Sequence, residues 1–143
     1  CVDKAAGLFC LSMVRDVKAG GDGKAKASDL AIKQWEIPTK ISLEGKSHQW
    51  TTFPGLFSGG VVDPMTVLLL DSLPVPKAGS AVLDFASGSG VIAAALRARD
   101  PSLKLHLLDA DAVALKAAEK NVPDAEYYCT DRSAVSLKKM TKN

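Results

Sequence analysis

A glycine-rich turn over residues 84–90 holds the residue types and spacing best suited to ligand chemistry. It reads D-F-A-S-G-S-G and directly follows the apolar pair Val82-Leu83. Because glycine has no Cβ, the backbone of such a turn can approach a ligand closely. The first N–H groups of a helix that follows the turn then face a polar or anionic group. The turn therefore predicts a site for a nucleotide-type ligand.

Two acidic residues discriminate among nucleotide-type ligands. Gly88-Ser-Gly90-Val-Ile-Ala93 formally matches the G-x-G-x-x-G/A fingerprint of dinucleotide binding. Asp84, four residues before Gly88, would repel a pyrophosphate, but it would accept from the methionine ammonium of S-adenosylmethionine and attract its positive sulfonium. The same carboxylate would alternatively brace the N–H groups of its own turn. Asp109 lies 19 residues after Gly90, close to the spacing at which a carboxylate accepts from ribose hydroxyls.

Two further aspartates, Asp111 and Asp131, each have two alternative interpretations, one structural and one as a ligand contact. Asp111 is expected to cap a helix, and ligand contact is its second reading. Asp131 follows the third predicted strand of the alternating region, at the edge where the ligand crevice of a parallel sheet continues. Its carboxylate would accept from an adenine amino group, or Asp131 would be an ordinary turn residue.

Metal, disulfide and nucleophilic chemistry are disfavoured by the rest of the sequence. His48 and His106 have no second ligand-type residue at metal spacing, and the three cysteines form no C-x-x-C pair. An odd cysteine count fits a reducing compartment, and Cys129 is expected to be a buried thiol in a core strand. No Ser/His or Cys/His arrangement suggests a nucleophile.

The bulk properties indicate an ordinary globular chain. It has 143 residues, 47% of them apolar and 24% charged, and a formal net charge of +2. This charge is too balanced to indicate nucleic-acid binding by itself. The longest apolar run falls far short of the roughly 20 residues that a membrane span needs, and no signal peptide is recognisable.

The elements that must position the turn divide the chain into two parts. Residues 1–28 are predicted to be an N-terminal segment that ends in a flexible Gly- and Lys-rich linker. Residues 37–53 predict a β-hairpin, and Asp63-Pro64 predicts the start of a helix that ends near Leu73. Strands at 81–85, 103–108 and 126–130 then alternate with helices at 89–99 and 112–120, which predicts an α/β fold with a doubly wound, mostly parallel sheet.

These residues resemble two known motifs. The segment from Asp84 to Gly90 resembles the first motif of class I methyltransferases, D/E-x-G-x-G-x-G, with Ala86 in place of the first glycine. Phe53-Pro-Gly-Leu-Phe57-Ser, followed by Asp63, resembles the P-G-x-F-S loop of the "small domain" methyltransferases that modify N2 of guanine in ribosomal RNA. The resemblance covers roughly residues 37–131.

The resemblance implies a Rossmann-like class I methyltransferase fold, preceded by the hairpin, that uses S-adenosylmethionine. It implies that residues 29–143 form the cofactor-binding half of the domain and that the C-terminal half is absent. The family's acceptor signature, Asn-Pro-Pro followed by an aromatic residue, has no match here, so no catalytic residue is assigned. The cofactor-binding residues implied are Phe57, Asp63, Asp84, Ala86, Ser87, Gly88, Ser89, Gly90, Asp109, Ala110 and Asp131.

The function so implied is methyl transfer to the exocyclic N2 of guanine in ribosomal RNA, or in other structured RNA, by a cytoplasmic enzyme without a metal or a membrane partner. Three alternatives stay open. A relative that methylates a protein glutamine or another amine would share the same logic, and a degenerate, non-catalytic copy of the domain would share the same fold. An NAD-dependent dehydrogenase is disfavoured by Asp84.

Overall fold

The computed structural model of the chain describes residues 31–130, and its elements follow the predicted order. The strands are β1 (Ile37–Leu43), β2 (Lys46–Thr52), β3 (Ala81–Phe85), β4 (Lys104–Asp109) and β5 (Glu126–Cys129). The helices are α1 (Pro64–Ser72), α2 (Val91–Arg99) and α3 (Ala112–Asn121), with a short 3-10 turn at Phe57–Gly60. The predictions for residues 1–28 and for Asp131 fall outside the described residues.

The predicted hairpin is confirmed. Strands β1 and β2 pair antiparallel, and a two-residue turn joins them. Glu44 and Gly45 occupy that turn with φ of 51° and 70°. This left-handed pair matches the twist of the flanking strands. One face of the hairpin buries the apolar residues Ile41, Leu43 and Trp50.

The second sheet is parallel, as predicted, with the strand order β3-β4-β5. Ala81 of β3 lies beside Lys104 of β4, and Asp109 of β4 lies beside Cys129 of β5. Because α2 and α3 connect successive parallel strands, the segment consists of two β-α-β units. The carboxyl ends of β3 and β4 therefore lie at the same edge of the sheet, with Phe85 beside Leu108.

Leucines of β4 lie at the centre of the core. Leu105 and Leu107 are almost fully buried, and they pack in one cluster with Leu96 of α2 and Leu115 of α3. A second cluster joins the hairpin to helices α1 and α2 through residues that include Trp50, Leu70 and Ala95. The hairpin therefore belongs to the same packed unit as the helices that flank the parallel sheet.

Both predicted aspartate caps are confirmed. The Asp63 side chain accepts from the backbone N–H groups of Met65 and Thr66 at the start of α1, at 2.9 and 3.1 Å. The Asp111 side chain accepts from the two corresponding N–H groups at the start of α3. Because the first N–H groups of a helix have no intrahelical acceptor, such caps fix where a helix begins.

Arg99, the last residue of α2, connects three elements. Its guanidinium donates to the carbonyl oxygens of Leu70 and Leu73 at the end of α1, at 2.7 and 3.1 Å. The same group pairs with the carboxylate of Glu44 in the hairpin turn at 2.7 Å. A planar guanidinium suits this role because its donors point in several fixed directions. Arg99 therefore holds α1 and the hairpin turn against the end of α2.

The prediction of a buried Cys129 is wrong. Its thiol is exposed, and Sγ approaches the carbonyl oxygen of Ala110 at 3.9 Å. Among the described residues, β5 is an edge strand that pairs only with β4, and Cys129 is its last residue. The two ends of β5 are exposed and its two middle residues are only partly buried. Its composition was therefore a poor guide to the burial of Cys129.

Residues 31–130 lack both a membrane-spanning helix and a metal-binding cluster. No helix in this range has the length and apolar character to cross a membrane. The same residues contain no group of three or more His, Cys, Asp or Glu side chains placed to hold a metal ion.

Candidate functional site

The glycine-rich turn joins β3 to α2 through alternating left-handed residues. Ala86, Gly88 and Gly90 have φ of 57°, 55° and 89°. The Ser87 N–H donates to the carbonyl oxygen of Leu108 in the neighbouring strand at 3.1 Å, and the Gly90 N–H donates to the Ser87 carbonyl oxygen at 2.9 Å. The turn is thereby bonded to β4 as well as within itself. Helix α2 begins at Val91, two residues later than predicted.

The two glycines of this turn have different surroundings. A Cβ added to Gly90 would lie 2.9 Å from Val122 Cγ2 and 3.2 Å from Leu107 Cδ2. A Cβ added to Gly88 would have no atom within 4 Å. Gly90 is therefore required by packing as well as by its backbone conformation, whereas Gly88 faces open space that a ligand can enter.

Ala86 holds the position that is a glycine in the methyltransferase motif. Its left-handed conformation costs an L-residue about 1–2 kcal/mol. The exposed position of Ala86 leaves room for its methyl group. Ala86 therefore adopts at this position a left-handed conformation of the kind that glycine adopts readily.

Asp109 ties the glycine-rich turn to the loop that follows β4. Its Oδ2 accepts from the Gly88 N–H at 2.7 Å, and its Oδ1 accepts from the Asp111 N–H at 2.8 Å. A carboxylate oxygen has lone pairs for more than one donor, so these bonds leave Asp109 able to accept further hydrogen bonds. The structure thus brings together two parts of the site, Gly88 and Asp109, that the sequence placed 21 residues apart.

Asp84 lies beneath the turn, at 7% exposure. Its Oδ2 accepts from the backbone N–H of Ala93 in the first turn of α2 at 3.1 Å. Burial raises the pKa of Asp84 to about 6, the bond from Ala93 opposes that shift, and the nearby charge of Asp109 adds to it. Asp84 therefore braces the helix, although through an N–H of α2 instead of one within its own turn. A carboxylate with this pKa is poised to be stabilised by a cation.

The other predicted cofactor residues are arranged around this centre in different ways. The Ser87 Oγ is buried and has no hydrogen-bond partner. Phe57 is 82% exposed in the 3-10 turn, and the Asp63 carboxylate is engaged at the start of α1. Ala110 is exposed beside Asp109, and the Ser89 Oγ accepts from the indole N–H of Trp50 at 3.3 Å. Ligand contacts for these residues remain predictions.

Asn121, the last residue of α3, connects the hairpin to the turn, a role that the sequence did not reveal. Its Oδ1 accepts from the Thr51 N–H at 2.8 Å, and its Nδ2 donates to the Thr51 carbonyl oxygen at 2.9 Å. The same Nδ2 donates to the Ser89 carbonyl oxygen at 3.0 Å. An asparagine at a helix end is ordinary, so nothing in the local sequence distinguishes this one.

Replacing Asn121 with alanine is expected to lower the free energy of unfolding by about 2 kcal/mol, because it leaves backbone groups of Thr51 and Ser89 without their partner. Lys120→Ala on the same helix is the matched control. It removes only the surface ion pair with Glu36, and such pairs contribute about 0–1 kcal/mol. Urea unfolding of both variants measures the difference. Equal losses would contradict the bridging role of Asn121.

Comparison with known proteins identifies the family. The sequence profile of the family "Methyltransferase small domain" matches residues 48–141, which is more than half of the chain. The chain belongs to this family. The match begins in β2, so it includes the second hairpin strand, the glycine-rich turn and Asp109. The α/β fold with a parallel sheet agrees with a Rossmann-like methyltransferase domain.

Curated relatives of this methyltransferase small domain share one name, "Ribosomal RNA small subunit methyltransferase C". The protein from Alteromonas mediterranea is 36% identical over 107 residues, which cover 75% of this chain and 29% of the relative. The proteins from Shewanella amazonensis and Hahella chejuensis are 37% and 41% identical over 111 and 114 residues. These matches cover 75% and 77% of this chain and 32% of each relative. The chain therefore spans about a third of the length of these relatives.

Proposed function

We propose that this methyltransferase small domain binds S-adenosylmethionine and serves methyl transfer to the exocyclic N2 of guanine in ribosomal RNA. The main support for cofactor binding is the hydrogen bond from the Gly88 N–H to Asp109, at the carboxyl ends of β3 and β4. At that edge of a parallel sheet, ligands enter the crevice between strand ends and helix starts.

The described residues fit such a cofactor in three respects. Gly88 leaves open space where a side chain would obstruct a ligand. The Ser87 Oγ is buried and unpaired, so it is available to a polar group of the ligand. Asp84 is a buried carboxylate whose raised pKa reflects the cost of keeping its charge away from water. A positively charged ligand would offset that cost.

Each acidic residue has a distinct proposed task. Asp109 would accept from the ribose hydroxyls with the lone pairs that its two backbone bonds leave free. Asp84 would stabilise the positive methionine end and keep α2 in place through Ala93. Asp131, beyond the described residues, is proposed to accept from the adenine amino group. The bound cofactor supplies a methyl group already activated by positive sulfur, so the protein mainly positions the reactants and excludes water.

The acceptor is proposed from two sources. The loop over residues 54–58 resembles the P-G-x-F-S loop of guanine-N2 methyltransferases. The names of the relatives describe them as ribosomal RNA methyltransferases. An RNA acceptor would place the protein in the cytoplasm. Methylation of a protein glutamine or another amine is the second candidate, because the acceptor signature of the resembled family serves both. A degenerate module is disfavoured, since Ala86 is left-handed and Asp109 is bonded to the glycine-rich turn at Gly88.

Calorimetric titration with S-adenosylmethionine, and with NAD as the control ligand, tests the cofactor. We expect binding of S-adenosylmethionine alone, with a Kd in the micromolar range, roughly −8 kcal/mol. Asp109→Ala is expected to weaken that binding about tenfold to hundredfold, because the ribose hydroxyls lose a buried acceptor. Asp71→Ala, which removes an exposed carboxylate from α1, is the matched control.

The outcomes separate the candidates. Absence of binding by the unaltered chain would mean a degenerate module or an incomplete site. Equal binding by Asp109→Ala and Asp71→Ala would remove Asp109 from the site. With the cofactor established, transfer of a labelled methyl group tests the acceptor, in a polypeptide that contains this domain and has the length of the curated relatives. Label on guanine N2 of small-subunit ribosomal RNA supports the proposal, and label only on a glutamine-containing peptide favours the second candidate.

A further inference from the structure

A cleft of about 300 Å³ lies between β2, α2 and the end of α3. Its walls include His48 and Trp50 of β2, Arg97 of α2, and Asn121 and Asp124 at and after the end of α3. None of the residues predicted to hold the cofactor lines it. The cleft is therefore a second concave surface, to which neither the glycine-rich turn nor the proposed cofactor gives a role.

Two buried nitrogen atoms without a hydrogen-bond partner belong to residues of this cleft. They are Nε2 of His48 and Nε of Arg97. The other two nitrogens of Arg97 are engaged, since Nη1 donates to the Pro101 carbonyl oxygen at 3.1 Å and Nη2 donates to that of Asp124 at 3.4 Å. The guanidinium is thus held by two carbonyl groups, and Nε is the one nitrogen of the group that has no hydrogen bond.

The chemistry of these atoms selects the class of ligand. The Nε of arginine is always a donor, and it carries part of a positive charge. Nε2 of histidine donates in one neutral tautomer and in the charged form. Two unpaired nitrogens in residues that line one cleft, one of them cationic, call for an acceptor with several oxygen atoms. Leaving such groups buried and unpaired is unfavourable, so they are more often found paired.

We propose that this cleft binds a phosphate group through Arg97 Nε and His48 Nε2. A phosphate presents several acceptor oxygens, so separate oxygens can receive the two donors. Asp124 is the acidic residue among those that line the cleft, and it is exposed. Water and salt screen exposed charges strongly, so Asp124 does not exclude an anion.

The phosphate has two possible sources, the backbone of an RNA strand or free phosphate. The RNA source rests on the proposed function, in which structured RNA is the substrate. The site itself does not depend on the methyl donor. Loss of cofactor binding in calorimetry would therefore count against the proposed function and leave the phosphate site standing.

The direct test is an NMR titration of the unaltered chain with inorganic phosphate. The Arg97 Nε–H and His48 imidazole resonances report the site without any substitution. We expect both to shift saturably and with the same apparent Kd. A short single-stranded RNA that shifts the same resonances and is displaced by phosphate would identify the backbone as the source, and a response to free phosphate alone would identify the free ion. Resonances that do not move with either titrant would overturn the proposal.

Variants test which atoms bind. Arg97→Lys keeps the positive charge but removes the Nε donor, and His48→Gln removes the imidazole. We expect each to weaken phosphate binding at least about tenfold, because each removes one of two charge-assisted or oriented donors. Lys104→Ala, which removes an exposed positive charge at the start of β4 outside the cleft, is expected to change the affinity less than about twofold. Similar weakening by all three variants would indicate non-specific attraction and overturn the site.

Discussion

Replacing Gly90 with alanine is expected to lower the free energy of unfolding by roughly 2–4 kcal/mol, because the new Cβ is both crowded and strained. It would lie 2.9 Å from Val122 Cγ2 and 3.2 Å from Leu107 Cδ2, inside ordinary contact distance. Both neighbours are fully buried core residues, so neither can move without disturbing the packing of β4 and α3. The φ of 89° adds a backbone cost that any side chain would incur.

Gly88→Ala is the matched control for Gly90→Ala. It lies two residues away, it also has a positive φ, and its Cβ would meet no atom within 4 Å. We expect it to lose only about 1–2 kcal/mol, the cost of a left-handed L-residue. Urea unfolding with a common slope measures both losses. If Gly88→Ala destabilised the protein as much as Gly90→Ala, crowding against Val122 would not explain the requirement for glycine.

The two variants should also differ in ligand binding. Gly88 faces the open space that we assign to the cofactor, so a methyl group there is expected to obstruct S-adenosylmethionine while leaving the fold largely intact. Gly90 has its steric role inside the protein. A Gly90→Ala protein that still folds at low temperature should therefore retain more of its cofactor affinity than Gly88→Ala.

Features that depend on a few neighbouring residues could be predicted from the sequence. Asp63-Pro64 and Asp111 identify helix starts because a cap needs only the next three residues. Residues 44–47 indicated a hairpin turn, and the structure narrows that turn to Glu44 and Gly45, both of which are left-handed. The parallel arrangement of β3, β4 and β5 follows from the alternation of strands and helices, and the sheet confirms it.

Features that depend on distant residues could not be predicted. Asn121 contacts Thr51 across 70 positions, and Arg99 contacts Glu44 across 55. Composition and periodicity say nothing about which helix end will meet which strand. The wrong prediction for Cys129 has the same origin, because the burial of a strand end depends on what pairs beside it. The start of α2 was misplaced because the left-handed Gly90 ends the turn later than its composition suggests.

The candidate site is intermediate between these cases. The spacing of Gly90 and Asp109 predicted a carboxylate that accepts from ribose hydroxyls, and this role stays a prediction. The structure adds a bond from the Gly88 N–H to Asp109, which holds the carboxylate beside the glycine-rich turn. The contact of Asp84 with Ala93 was not predicted, because it requires the first turn of α2 to lie directly over the end of β3. Spacing thus indicated which residues meet but not which donors they receive.

Asp84 is expected to show opposite effects on stability and on ligand binding. Its pKa in the folded protein, about 6, lies above the ordinary value of 3.8. The folded state therefore binds the proton of Asp84 more tightly than the unfolded state does. The contribution of Asp84 to the free energy of unfolding is consequently most favourable below pH 4. It decreases as the pH rises towards 6, and it stays low above that. A difference of two pKa units corresponds to about 3 kcal/mol.

Asp84→Asn should remove that pH dependence. Asparagine keeps a carbonyl oxygen that can accept from the Ala93 N–H, and it carries no charge to bury. We therefore expect the variant to be about 1–3 kcal/mol more stable than the unaltered chain at pH 7 and nearly equal to it near pH 4. Urea unfolding between pH 4 and pH 7 measures this difference. A variant that is less stable at pH 7 would show that the ionised carboxylate is a net stabilising brace.

The same substitution should weaken S-adenosylmethionine binding at least about tenfold, because the cationic ligand loses its buried counter-charge. In the unaltered chain, affinity should increase from pH 5 to pH 7 as Asp84 ionises, and the Asp84→Asn protein should lack that increase. Calorimetry of both proteins at both pH values provides the comparison. A gain in stability without a loss of affinity would assign Asp84 to the fold alone, whereas the two changes together would mean that the chain retains a destabilising charge because its ligand needs it.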